Sequence, residues 1–146
     1  MRDPMTNAAP LPESSALALP ALAGLATASS SPLRDVQIEC DPELRLPASE
    51  ITPIVTITGE AIAYALQHAF PEGRHGHIWV KLAEKEGRLV LTVRDDGIGM
   101  PDDLPEEPSN GFGAIQALAR QLGGYARIGS APFGGGLVSV IYPRTH

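Results

Sequence analysis

Apolar and polar positions alternate along Val36-Gln37-Ile38-Glu39-Cys40, and that period of two predicts a strand. The period then changes. Thr52-Pro53 reads as a helix start, with Thr as N-cap and Pro at the first helical position, and the helix runs to about Ala69. Ile62, Leu66, Ala69 and Phe70 fall on one apolar stripe of it. Glu60, Tyr64 and His68 fall on a separate face, turned well away from that stripe. Pro71-Glu72-Gly73 ends the helix, and strands follow over 78–83 and 89–93, joined at Lys85-Glu86-Gly87. A glycine-bearing loop spans 94–100, and 102–110 is acidic and proline-rich without a period. Ile115, Leu118 and Leu122 give the core face of a helix over about 114–122, which Gly123-Gly124 stops. Two last strands are predicted over 126–130 and 137–142, with Pro132 to Gly136 between them.

This order of strand, long helix, hairpin, helix and hairpin predicts an α+β fold: a two-layer α/β sandwich, with helices on one face of a mixed sheet. Residues 1–33 differ, holding eight Ala, five Ser and five Pro with only three charges. They read as a low-complexity tail and linker, with a short helix over 16–28 around Pro20, and the folded domain is expected over 34–146. The stretch before that Ala/Leu-rich run is not positively charged and Pro20 interrupts it, which argues against a secretory leader. No apolar run reaches the ~20 residues of a membrane span. A net charge of −6 leaves no basic footprint for nucleic acid. The single cysteine, Cys40, excludes a disulfide framework and a cysteine-rich zinc site, and the expected location is cytoplasmic.

Three clusters carry candidate chemistry. Asp95-Asp96-Gly97-Ile98-Gly99-Met100 follows a strand. A carboxylate at a strand end accepts hydrogen bonds and so suits an exocyclic amine. Gly97 and Gly99 allow close backbone approach to a flat ligand, and Met100 offers a soft apolar surface. An acidic glycine turn is the competing reading. Gly111-Phe112-Gly113 opens a helix, where backbone amides favour phosphate; a flexible helix entry is its competitor. It is not the dinucleotide fingerprint, because Gln116 stands where a third glycine belongs, and no Gly-Lys-Ser/Thr loop occurs. On the third cluster, Glu60 is placed to orient or deprotonate a nucleophile, or is an ordinary exposed glutamate. His68, His75 and His77 give no fixed metal-ligand spacing.

Taken in order, these clusters resemble the ATP-binding domain of the superfamily that includes gyrase, the Hsp90 chaperone and histidine kinases. Residues 95–100 look like its first glycine box, 111–113 like its second, and 59–70 occupy the place of its N box. Ala65-Leu-Gln-His-Ala-Phe-Pro-Glu-Gly73 and Ala117-Leu-Ala-Arg-Gln-Leu-Gly-Gly124 are similar to a bacterial histidine-kinase group related to the HWE type, with His68 as a shared feature. The resemblance covers roughly 34–143. It implies the histidine-kinase-like ATPase fold, with ATP as the ligand. It also implies that Asp95 binds the adenine amine, that Ile98 and Met100 line the base pocket, and that Gly97 and Gly99 allow close approach. Gly111 and Gly113, flanking Phe112, would hold the phosphates, 102–110 would be a short lid, and Glu60 would be the N-box glutamate.

The departures bear on catalysis. The family holds Mg²⁺ through an Asn four residues after that glutamate, and here the position is Tyr64. A phenol with a pKa of ~10 is a poor ligand for a hard cation. Leu137 replaces a Thr common after the closing glycines, and no His precedes His68 to serve as phosphoacceptor. The expectation is therefore a fragment, a stand-alone domain acting on a partner, or a degenerate relative. Three functions follow from the resemblance. One is an ATP-binding domain that supports phosphotransfer to a response regulator or phosphoacceptor domain in bacterial two-component signalling. The second is a pseudokinase that docks on a kinase, response regulator or sigma-factor regulator without catalysis. The third is a serine/threonine kinase of the anti-sigma type.

Overall fold

In the computed structural model, which describes residues 15–99, 112–132 and 134–144, the strands form where the alternation is strongest. β2 (Arg34–Cys40) turns Val36 and Ile38 inward and Asp35, Gln37 and Glu39 to solvent. It lies parallel to β4 (Gly76–Lys85), with Val36 opposite Ile78 and Ile38 opposite Val80. Parallel neighbours need a crossover, and the 21-residue α2 (Ala48–His68) supplies it. β4 returns through Glu86 (φ 55°) and Gly87 (φ 78°) into the antiparallel β5 (Arg88–Asp95). Two residues with positive φ make the turn whose twist suits a hairpin. β7 (Gly136–Pro143) pairs with β5, and β6 (Tyr125–Ser130) closes the edge, giving the order β2-β4-β5-β7-β6. The predicted mixed sheet with one covered face is thus present. Val80, Leu82, Leu89, Leu91, Val93, Val138 and Val140 are buried along it, beneath α2 and α3 (Phe112–Gln121).

Four boundaries are corrected. Folded structure does not start near Arg34. β1 (Ser15–Leu17) pairs with β3 (Arg45–Pro47), and α1 (Ala18–Ser29) buries Ala18, Leu22 and Ala26 against β2 and α2. Residues 15–29 of the expected tail therefore belong to the folded domain. Pro20 does not interrupt α1, because it sits in the first turn, where its missing N–H is not needed. The long helix begins at Ala48 rather than at Thr52-Pro53. Glu50 in its first turn suits the helix dipole and accepts the Tyr142 hydroxyl proton at 3.1 Å. Pro53 lies buried inside the helix, where its packing offsets the lost ladder bond. Finally, β5 extends through Asp95 and α3 includes Phe112 and Gly113, so both glycine clusters sit closer to regular elements than the pattern predicted.

Candidate functional site

The site gathers at the end of the sheet where β5 finishes and β7 begins. Asp95 is the last residue of β5 and is 4% exposed. Its Oδ1 accepts the Gly97 N–H at 2.8 Å and the Gly136 N–H at 3.0 Å. Neither of these amides engages Oδ2. The backbone around it is close-packed. A Cβ on Gly97 would meet the Ala69 carbonyl oxygen at 2.2 Å, and one on Gly135 (φ 81°) would meet the Asp95 carbonyl oxygen at 1.8 Å. The Ile98 N–H donates to the Ala69 carbonyl at 3.0 Å. What Gly97 permits is therefore first the approach of the α2 C-terminus. Gly99 takes φ 87°, a conformation that favours glycine. Ile98 is 62% exposed, so its side chain is free to cover a ligand.

Asp96 faces elsewhere. Its carboxylate accepts the His77 N–H at 2.8 Å and lies 2.9 Å from His77 Nδ1. Partial burial pushes this carboxyl up, but the two bonds and the charge of the His77 ring outweigh it, so it sits below the ordinary carboxylate value. His77 is thereby tied to Asp96, while His75 is exposed. Among the described residues no three His, Cys, Asp or Glu side chains gather as a metal set.

Glu60, Tyr64 and His68 do not form one open face. Glu60 and His68 are exposed, whereas the Tyr64 ring is half-buried against the core. Its centroid lies 4.6 Å from that of His68 and 4.5 Å from that of Phe112. Phe112 is itself buried, so the residue between the two expected phosphate glycines is part of the α2–α3 packing. Gly113 is half-buried in the first turn of α3. Met100, Gly111 and the expected lid at 102–110 lie outside the described residues. Burial, and then the charge of Asp95, push the Tyr64 phenol up. A neutral phenol held by two rings does not fit the metal-ligand role that the resemblance implies for position 64. Sequence reasoning missed Gly136, whose amide closes on Asp95. The glycine run 134–136 was its only signal, and β7 begins at its last residue.

Comparison with known proteins finds relatives of two kinds. The anti-sigma F factor of Bacillus licheniformis is 32% identical over 53 residues, 36% of this chain and 36% of that protein. The blue-light-activated histidine kinase 2 of Erythrobacter litoralis is 31% identical over 91 residues, 60% of this chain and 26% of that kinase. The chain therefore spans well under two thirds of these curated relatives. Among solved structures, the histidine kinase domain of an Erythrobacter litoralis blue-light activated histidine kinase matches with a TM-score of 0.70 at 25% identity, covering 83% of this chain and 56% of that one. The ATP binding domain of PrrB from Mycobacterium tuberculosis matches with a TM-score of 0.71 over 92% of this chain and 99% of that one, at 19% identity, which shows the fold alone. A family model described as "Histidine kinase-, DNA gyrase B-, and HSP90-like ATPase" matches residues 49–146, and the chain belongs to that family, as an ATP-binding domain of kinase type.

Proposed function

We propose that the chain binds an adenine nucleotide at the Asp95 end of the sheet and acts through a protein partner in bacterial two-component signalling. The observation that carries this reading is the state of Asp95: a buried carboxylate with both backbone amides on one oxygen. A carboxylate oxygen in this position can accept a further hydrogen bond from a ligand amine. In this reading Ile98 and Met100 cover the base, and Gly97 and Gly99 keep the backbone clear of it. Gly111 and Gly113 offer amides to phosphate at the start of α3. Glu60 is the one carboxylate on α2 placed to orient an attacking group. No described helix is long and apolar enough to cross a membrane, and a cytoplasmic site of action is part of the proposal.

The partner is a response regulator or a phosphoacceptor domain if the chain supports phosphotransfer. Tyr64 favours the second reading, in which the chain docks on a kinase, response regulator or sigma-factor regulator without catalysis. The anti-sigma relatives support a protein partner in either case. Asp95→Asn keeps an oxygen for the two amides and loses the charge. Calorimetry should show nucleotide binding weakened by about tenfold or more in the variant, the worth of one hydrogen bond to a charged group. Equal binding by wild type and variant would sink the assignment.

A further inference from the structure

The first glycine box is seated on the turn that follows α2. The Ile98 N–H reaches the Ala69 carbonyl at 3.0 Å, and Arg74 Nη2 donates to the Asp96 carbonyl at 3.3 Å. Residues 96–98 thus take their position from 69–74, and Asp95 is joined to them directly. What holds that turn is Arg34, the first residue of β2, on the edge strand of the sheet. One nitrogen of its guanidinium donates to the Arg74 carbonyl and the other to the Phe70 carbonyl at 3.2 Å. A planar fork of donors holds two carbonyls at a fixed separation, which an ammonium cannot do. The positive charge also suits the C-terminal end of α2. The same guanidinium lies 4.9 Å over the Phe70 ring, which is buried and packed so closely on Gly76 that no Cβ would fit there. Arg34 is tied backwards as well. Its N–H and carbonyl pair with Ser31, just past α1, at 3.1 and 2.8 Å, and the Leu33 carbonyl accepts the Gly76 N–H at 2.9 Å.

We propose that Arg34 is a positioning residue for the nucleotide site, setting affinity by clamping the 70–74 turn on which the first glycine box rests. It acts through that turn and not on the ligand itself. The proposal rests on the nucleotide reading above and deepens it, because it joins the pocket to the α1–β2 junction. The coupling runs both ways. A nucleotide that needs the box in place tightens the turn, and a disturbance at the junction loosens the pocket.

The test is ATP calorimetry on the full chain, well below every melting transition, with wild type, Arg34→Ala, Arg34→Lys, Asp95→Asn and the Arg34→Ala/Asp95→Asn double variant. Arg34→Ala should weaken ATP by about tenfold. Arg34→Lys should weaken it too, since lysine has no fork. In the Asp95→Asn background the Arg34→Ala loss should shrink to about threefold or less, because the charge that the clamp positions is gone. A folded Arg34→Ala variant that binds ATP as wild type does would reduce the clamp to a structural role and overturn the proposal. Equal losses in the two backgrounds would overturn it as well. Amide hydrogen exchange tests the coupling without any variant: saturating ATP should slow exchange at the Arg74 and Gly76 N–H groups of wild type. Unchanged exchange at both would refute the proposal even where the Arg34 variants fail to fold, and would leave the nucleotide reading standing. Absence of ATP binding by wild type would overturn the nucleotide reading, and this one with it.

Discussion

Asp95 ties two segments of the fold together through a single carboxylate oxygen. Oδ1 closes two backbone amides from separate segments, which holds the first glycine box against the start of β7. Gly97 belongs to the same junction. Gly97→Ala puts a methyl into the Ala69 carbonyl, and the α2 C-terminus must move. The expected loss is about 1–3 kcal/mol in a denaturant titration, the usual cost of overpacking, together with weaker nucleotide binding. At the other end of the sheet, burial, then the charge and hydrogen bond of Glu50, push the Tyr142 phenol far above its ordinary value of 10.0. The folded chain therefore keeps this proton where the unfolded chain gives it up. Stability from Tyr142 is fully present below about pH 10 and falls as pH rises beyond it. Stability measured across this range should show wild type losing its advantage over Tyr142→Phe above pH 10. A gap that widens there would contradict the assignment. The residue scale is also where the sequence was least legible. Asp-x-Gly-x-Gly after a strand announced Asp95, because strand ends and glycines are local signals. The packing of Tyr64 on Phe112 was not legible, since the two residues lie far apart in the chain and meet only once α2 and α3 dock.

At the scale of elements, the alternation in β2 and the β4–β5 hairpin were readable directly, because one covered face imposes a period of two. α1 was not. Its twelve residues are almost all apolar or small, so the buried positions Ala18, Leu22 and Ala26 do not stand out against a polar face. Only the tertiary structure selects that stripe. Leu22 is 1% exposed within the core, and Leu22→Ala is expected to cost about 2–5 kcal/mol. Thermal melting checks this directly. A loss no larger than that of a surface substitution would mean that α1 is dispensable. The start of α2 was misplaced because Thr-Pro imitates an N-terminus. The real start answers to Glu50 and its bond to Tyr142, a contact between residues 92 positions apart in the chain.

For the whole molecule, the sheet sorts its duties by end. The ends of β5 and β7 near Asp95 carry the candidate site. At the opposite end Arg144 lies 3.6 Å from Glu84 and donates to the Arg45 carbonyl, tying β7 and β4 to β3. A chain lacking residues 1–33 would lose β1 and α1 and expose the inner side of β2. It should melt without a cooperative transition or form soluble aggregates on size-exclusion chromatography.

The parallel pairing of β2 with β4 also orders events during synthesis. β2 leaves the ribosome well before its partner, and roughly two to nine seconds pass at ~5–20 residues per second before Lys85 completes β4. Through that interval β2 is an unpaired strand carrying Val36 and Ile38. The helix made immediately before it, α1, is the element that covers this apolar side in the finished structure. If α1 docks on β2 as soon as both have emerged, it would shield the waiting strand in the nascent chain. Substitutions that break this helix should lower the yield of newly made protein more steeply than they lower the stability of protein already folded.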